Sequence, residues 1–250
     1  MTGAGLFEQN KQRFQRNNAI FEGFSNKHIY SSYLLTLNIM PTSFGVIPTK
    51  IDERLTYANV VGIAEQSIND YLRSYQLSPV VKLSVNVHDN DEKYINQINP
   101  EDKFVWKGTE YAWFTMDKAK GGTEAYCNKL SETLDYWPTY LEEVCHDLVT
   151  AKEIQQIKEY NIKWYFKRSA GQSALVNIAY GHLAAALAKV TDGIIYSESA
   201  WDPKLFPMKY DNFTNIYFRP EMTDHEPSRK WAEKCLNGMR DSVASKKALL

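Results

Sequence analysis

The segment Gln172–Lys189 constrains the fold more than any other, because its alanine- and leucine-rich pattern predicts a helix that is apolar on nearly every side. Such a helix has to be surrounded by other elements. Its most apolar stretch, Val176–Val190, includes Asn177, His182 and Lys189. It is shorter than the run of about 20 apolar residues needed to cross a bilayer. The sequence therefore predicts a buried helix inside a globular core.

Two short strand patterns flank this helix. Ile162–Arg168 (IKWYFKR) is rich in aromatic and aliphatic residues, and Gly193–Ser197 (GIIYS) is a short apolar run typical of a buried strand. Gly193 itself stands where helices commonly end in a left-handed residue. The pattern predicts a strand–helix–strand unit over residues 162–197.

A second strand–helix–strand unit is predicted over residues 29–87. His28–Met40 alternates until Pro41 ends it, and Val80–Val87 (VVKLSVNV) alternates strictly between apolar and polar residues. Between them, Asp52 is the expected N-cap of a helix with one apolar stripe. That stripe consists of Val60, Ile63, Ala64, Tyr71, Leu72 and Tyr75.

The remaining segments add helices and antiparallel strands. A loop is expected at Thr42–Thr49, and a hairpin is expected at Lys103–Trp106 and Thr109–Met116. Helices are expected at Thr123–Asp135, Tyr140–Leu148, Lys152–Tyr160, Tyr210–Tyr217 and Pro227–Val243. Together these elements predict an α+β fold, a two-layer sandwich with helices packed on a mixed or antiparallel sheet and two βαβ-like units.

The chain is long enough to bury one large hydrophobic core, with 250 residues of which 44% are hydrophobic. Residues 1–28 are polar and rich in Asn and Gln, so we expect an N-terminal arm followed by a single α+β domain over residues 29–250. The N-terminus lacks the apolar stretch of a secretory signal. Cys127, Cys145 and Cys235 include no CxxC pair. These features favour a cytoplasmic protein with reduced cysteines.

Charge and motifs argue against several function classes. With 29 basic and 30 acidic residues, the formal net charge is −1, and nothing in it favours nucleic acid. The sequence contains no G-x-S-x-G, H-E-x-x-H, P-loop or G-x-G-x-x-G motif. We therefore expect no enzyme activity, no catalytic residue, no metal and no cofactor.

One short motif keeps a catalytic alternative open. Asp89 follows a predicted strand, and Glu101 and Lys103 form a Glu-x-Lys pair in the loop behind it. Metal-dependent nucleases use such carboxylates to hold a divalent ion and orient water. The alternative hypothesis is thus a metal-dependent hydrolase or nuclease. His182 is instead expected to be packed or hydrogen-bonded, because a general base there would need a carboxylate partner.

Clusters of carboxylates with few basic residues among them are the most informative polar feature. They lie in His88–Asp102, Glu132–Asp147 and Asp192–Asp202. Each cluster is either a solvated surface or a patch complementary to a basic partner protein. Trp201 is either an interface hot spot or a core-capping residue. We predict partner binding by Asp89, Asp91, Glu92, Glu142, Glu143, Asp147, Glu198, Trp201 and Asp202.

Several short motifs follow one another between Trp164 and Asp202. They are the strand Trp164–Arg168, the alanine-rich helix, the turn Thr191-Asp192-Gly193 and the loop Ser197-x-x-Ala200-Trp201-Asp202. Together they resemble immunity proteins of bacterial polymorphic toxin systems. The most similar group is the one paired with restriction-endonuclease-like nuclease toxins, often delivered by type VI secretion. Earlier parts of the chain resemble this group only in their compatible α+β pattern.

The resemblance implies a function in competition between bacteria. Such a protein binds and neutralises a cognate secreted toxin in the cytoplasm of the producing cell, by blocking the active site of the toxin or its maturation. The near-neutral charge favours no direct contact with nucleic acid, and the lack of a stretch long and apolar enough to span a bilayer favours no membrane association. The net charge of −1 departs from strongly acidic nuclease inhibitors, so it does not indicate mimicry of DNA.

Overall fold

The computed structural model of the chain describes residues 42–77, 80–89, 91, 94–96, 98–117, 119–132, 137–168, 171–197, 201–202 and 205–247. The predicted N-terminal arm at residues 1–28 and the predicted strand His28–Met40 lie outside these residues. The described chain has helices packed on an antiparallel sheet. The predicted α+β fold class is therefore confirmed.

Seven strands form one sheet in the order β3-β2-β4-β5-β6-β1-β7 within the described residues. Their bounds are β1 Thr42–Ile47, β2 Leu83–Asp89, β3 Tyr94–Asn96, β4 Glu110–Met116, β5 Gly122–Lys129, β6 Ile162–Arg168 and β7 Ile194–Tyr196. All neighbouring strands are antiparallel. Strands β1 and β2 therefore run parallel with three strands between them, and β6 and β7 run parallel with β1 between them. Two βαβ-like units are present, each split by intervening strands.

The longer helices are α1 Tyr57–Ser74, α2 Ala151–Tyr160, α3 Ala174–Val190, α4 Tyr210–Ile216 and α5 Glu226–Lys247. Helix α1 begins after Thr56, not at the predicted Asp52. The Thr56 hydroxyl accepts a hydrogen bond from the Asn59 amide at 3.2 Å, which caps the helix. Asp52 lies in the preceding loop, where Arg54 contacts its carboxylate at 3.0 Å.

Helix α3 is surrounded by other elements, as predicted. All of its residues except Ala174 and Lys189 are buried. It ends in a left-handed residue, but this residue is Asp192, with φ of 47°, and not the predicted Gly193. Gly193 is needed for close packing, because a Cβ there would lie 2.7 Å from the Ile47 carbonyl oxygen. No helix in the described part of the chain is both long and apolar enough to cross a membrane.

Three local predictions are wrong. The expected loop Thr42–Thr49 contains β1, and the expected helix Thr123–Asp135 begins with strand β5. Strand β4 pairs with β2 and β5, so the predicted hairpin with Lys103–Trp106 does not form. Pairing with a neighbour on each side stabilises β1 and β5 despite the glycine in one and the Glu, Ala, Asn and Lys residues in the other.

Two hydrophobic clusters lie on opposite faces of the sheet. The larger one contains Phe44 and Val46 of β1 and packs beneath α1 and α3. The smaller one contains Ile47 and Ile194, which alternate to the other face, together with Trp137 and the chain up to α2. Among the described residues, this cluster covers the second face beside β1 and β7 and reaches Lys163 of β6, which is 7% exposed and has its Nζ 5.3 Å from the Trp137 ring centroid.

Candidate functional site

The uncovered part of the second face carries the strongest candidate site in the described chain. On β2, β4, β5 and β6, every second residue points away from the helical layer, and most of these residues are partly exposed, whereas Lys163 of β6 is buried. We call this surface the outer face. It comprises Asn86, His88, Tyr111, Trp113, Glu124, Tyr126, Asn128, Tyr165 and Lys167. Aromatic rings among hydrogen-bonding groups are typical of protein interfaces.

Four rings of the outer face form a continuous row, which we call the aromatic ladder. The sheet register places His88 opposite Tyr111, Tyr111 opposite Tyr126, and Tyr126 opposite Tyr165. The ring centroids are 5.4, 5.9 and 4.8 Å apart in that order, and the ring planes are inclined by 18°, 30° and 13°. Consecutive rings across the four strands are therefore stacked at the two ends of the row and tilted at the Tyr111–Tyr126 step.

This geometry distinguishes the ladder from a platform for nucleobases. Proteins that bind single-stranded nucleic acid stack the bases on exposed aromatic faces. Two of the three ring pairs within the ladder are stacked and the third, Tyr111 with Tyr126, is tilted, so neighbouring rings cover part of the ring faces. Ring edges and phenolic groups are what such a row presents, and these suit the surface of a protein better than a base.

Glu124 connects the ladder with the charged groups beside it. The Tyr126 hydroxyl donates a hydrogen bond to Glu124 Oε2 at 2.8 Å, and Lys167 Nζ lies 3.8 Å from the same oxygen. Burial and this hydrogen bond raise the pKa of Tyr126 above its ordinary value. Burial also raises the pKa of Tyr165. Both phenols are therefore neutral hydrogen-bonding groups at physiological pH.

Gly45 marks the boundary between the covered and uncovered parts of this face. In the sheet register it lies between Tyr165 of β6 and Tyr196 of β7. A Cβ at this position would lie 2.0 Å from the Tyr196 ring, so that ring lies across β1. Tyr196 also contacts Trp137 of the smaller cluster edge-on, with the centroids 5.0 Å apart.

The predicted carboxylates after β2 lie at the His88 end of the ladder. Asp89 is the last residue of β2 and is in register with Glu110 of β4. Asp91 is exposed, and its amide donates a hydrogen bond to Asp89 Oδ1 at 3.0 Å. Glu92 lies outside the described residues. Partner binding by these residues stays a prediction.

The predicted cluster around Glu142 is exposed but has a basic neighbour. Glu142 and Glu143 lie on a π-helical turn, Tyr140–Val144, and Asp147 follows it. Lys158 Nζ of α2 lies 3.1 Å from Glu142 Oε1. The fold thus supplies a cation that the local sequence lacks, and partner binding by these carboxylates stays a prediction.

Trp201 and Asp202 are buried, which argues against the predicted partner binding by these two side chains. Trp201 is 4% exposed and stacks on Phe218 with the centroids 5.6 Å apart. Asp202 is 5% exposed and accepts a hydrogen bond from the Thr223 hydroxyl at 2.9 Å. The core-capping alternative describes Trp201. Glu198 lies outside the described residues.

The catalytic alternative gains no support from the described chain. Glu101 and Lys103 are exposed in the loop that precedes β4, and Asp89 is half-buried. No group of three or more His, Cys, Asp or Glu side chains in the described part could hold a metal ion. A divalent ion shared between these carboxylates therefore lacks a ligand cluster among the described residues.

The sequence reasoning missed the aromatic ladder. Its members come from four strands, and only the sheet register brings them together. A partial signal was present in β4, where Tyr111 and Trp113 alternate with the buried Ala112 and Phe114. The predicted helix over β5 concealed the same alternation around Tyr126.

Comparison with known proteins finds no match to the chain among protein-family models, curated proteins or solved structures.

Proposed function

We propose that the chain is a binding protein that neutralises a cognate secreted toxin, a nuclease, in the cytoplasm of the cell that produces both. The aromatic ladder is the observation that carries this proposal. Inhibition by binding requires one well-formed surface with aromatic anchors and no set of catalytic groups. The class of partner comes from the resemblance of the segment between Trp164 and Asp202 to immunity proteins.

The ladder has the properties of a pre-organised protein-binding surface. Tyrosines supply large contact areas with few rotatable bonds, so their ordering on binding is inexpensive in entropy. Stacking on neighbouring rings restricts Tyr111, Tyr126 and Tyr165 before any partner arrives. Glu124 and Lys167 beside them provide one hydrogen-bonding group of each charge.

Strand β6 links the resemblance with this surface. Its motif residues alternate between the two faces of the sheet, with Trp164 and Phe166 in the buried core and Tyr165 and Lys167 on the outer face. The same short motif therefore supports the core on one side and the candidate interface on the other.

The area of the outer face is smaller than a standard interface, so residues around its edge have to contribute to binding. Four strands spaced about 4.8 Å apart and roughly 20 Å long cover on the order of 400 Å². A standard interface buries about 800 Å² on each partner. The exposed carboxylates beside the ladder, including Asp91, are suitable rim residues because they can pair with basic groups of a nuclease.

Co-expression with the toxin encoded by the adjacent upstream gene tests this function. The wild-type chain is expected to restore growth and to bind the purified toxin in calorimetry. Absence of both binding and rescue would end the proposal.

A matched pair of tyrosine variants tests the surface. Tyr126→Ser removes a ladder ring and should weaken toxin binding by about tenfold or more. Tyr75→Ser is the control, because Tyr75 is also half-buried and also donates to a carboxylate, Glu221, at 2.8 Å, but follows helix α1 in the helical layer. Equal affinities of the two variants would place the interface elsewhere.

A further inference from the structure

Helices α1, α3 and α4 enclose a polar cleft in the helical layer, on the other side of the sheet from the ladder. Its volume is about 290 Å³, near the lower end of ligand pockets. Its walls include Ser67 and Asp70 of α1, His182 and Lys189 of α3, Thr214 of α4, and Arg219. No described element fills it, and its lining is mostly polar.

Two cations of the cleft lack carboxylate partners within the described chain. Lys189 Nζ lies over the Tyr210 ring at 4.7 Å, and the Arg219 guanidinium lies over the Tyr71 ring at 5.5 Å. Neither cation forms an ion pair with any carboxylate among the described residues. The carboxylate of the cleft wall, Asp70, is already paired with Arg73. The side chains that line the cleft therefore carry a net positive charge.

The floor of the cleft contains a serine–histidine pair. Ser67 Oγ lies 2.8 Å from His182 Nδ1, and the other ring nitrogen, Nε2, is buried without a partner in the described chain. Burial and the nearby Arg219 lower the pKa of His182 to about 3, so the ring is neutral. A buried N–H without an acceptor is rarer than an acceptor without a donor. We therefore assign the proton to Nδ1, which donates to Ser67.

This tautomer leaves the proton of the Ser67 hydroxyl available to a ligand in the cleft. The pair is not arranged for nucleophilic catalysis, because a histidine with so low a pKa does not take up the serine proton at neutral pH. Within the described chain it also lacks the carboxylate that orients the imidazole in a catalytic triad. The serine thus functions as a hydrogen-bond donor.

We propose that this cleft binds a small anion through a carboxylate or phosphate group, with Lys189 and Arg219 neutralising the charge and Ser67 donating a hydrogen bond. Charge-assisted hydrogen bonds from ammonium and guanidinium groups are the strong contacts that such oxygens accept. The cleft is separate from the proposed toxin-binding surface, because it lies in the helical layer and shares no residue with the outer face.

Titration of the full chain with inorganic phosphate and, separately, with succinate tests the proposal, followed by backbone amide shifts in nuclear magnetic resonance. We expect saturable shifts centred on Ser67, Lys189 and Arg219 with at least one probe. Binding of one probe and not the other identifies the anionic group. Absence of saturable shifts with both probes would overturn the proposal.

Charge-removing variants locate the site. Lys189→Gln and Arg219→Gln should each weaken the binding probe by about fivefold or more, because each removes one charged contact. Lys234→Gln removes an exposed lysine of α5 and should leave the affinity within about twofold. Lys189 is exposed, so its variant keeps the test valid if Arg219→Gln does not fold. Unchanged affinity of Lys189→Gln would overturn the assignment.

Discussion

The two faces of the sheet carry different kinds of side chains on the same strands. On β6, Trp164 and Phe166 are fully buried beneath the helical layer, whereas Tyr165 and Lys167 are partly exposed on the outer face. The inner face is apolar because it forms the core. Cross-strand ring contacts on the outer face also contribute to sheet stability, and aromatic surface that solvent reaches commonly marks an interaction site. The contrast therefore separates residues that form the core from residues that the proposed binding function would use.

Truncation of neighbouring residues on β6 is the most sensitive test of whether the two faces contribute differently to stability. Phe166→Ala removes a fully buried ring and should reduce the free energy of unfolding by about 3–5 kcal/mol. Tyr165→Ala removes a partly exposed ring that stacks on Tyr126 and should reduce it by about 1 kcal/mol. Urea denaturation of both variants measures the difference. Equal losses of the free energy of unfolding would show that the ladder stabilises the fold as much as the buried core does.

A substitution at Gly45 tests whether the position of the Tyr196 ring at the edge of the ladder depends on glycine. Gly45→Ala places a Cβ 2.0 Å from the Tyr196 ring and should destabilise the fold by about 1–3 kcal/mol. Adding Tyr196→Ala should relieve most of this clash, so the two changes should be non-additive in denaturation experiments.

Gly62→Ala is the matched control for that change. Gly62 lies in helix α1, and a Cβ added there would meet no described atom within 4 Å, so alanine should be neutral or stabilising by up to about 1 kcal/mol. A tolerated Gly45→Ala would mean that the Tyr196 ring can leave its place across β1.

The success of the sequence reasoning differs between strands for a physical reason. Strands β2 and β6 could be predicted because their β-branched and aromatic residues follow a period of two. Strand β1 contains Gly45, and β5 contains Glu124, Ala125 and Asn128, which are poor strand formers in isolation. Hydrogen bonding to neighbours distant in sequence determines these two strands, and local patterns do not contain it.

The candidate sites were harder to predict than the fold. The ladder depends on the register of four strands, and the cleft depends on how α1 and α3 bring Ser67 to His182 over 115 positions of sequence. Trp201 shows the same limit, because its sequence context left an interface hot spot and a core-capping residue equally open, and only the packed structure shows that the side chain caps the core. Exposure is a property of the packed molecule, so residue type alone predicts it poorly.

At alkaline pH, Tyr217 of the helical layer and Tyr126 of the ladder should affect the free energy of unfolding to different extents. Burial raises the pKa of Tyr217 well above its ordinary value, whereas the pKa of Tyr126 in the ladder is raised by partial burial and by Glu124. Above about pH 10 the unfolded chain loses these protons while the folded chain retains them, so stability falls as the pH rises. The fall should be reduced more by Tyr217→Phe than by Tyr126→Phe in urea denaturation at several pH values. The opposite ranking would contradict the assigned burial.

The smallest expected effect concerns the acidic segment around Glu142, which covers the second face of the sheet beside β1 and β7. Glu142→Gln removes an ion pair in which the Glu142 and Lys158 side chains are 56% and 42% exposed, so the free energy of unfolding should change by at most about 0.5 kcal/mol. A stability change this small allows toxin affinity to be interpreted directly. Weaker toxin binding by Glu142→Gln would extend the interface from the ladder onto this segment, and unchanged binding would confine it to the uncovered strands. Denaturation of the variant and of the wild type at several salt concentrations checks that folding is unaffected. A change in toxin affinity then reports on the interface alone.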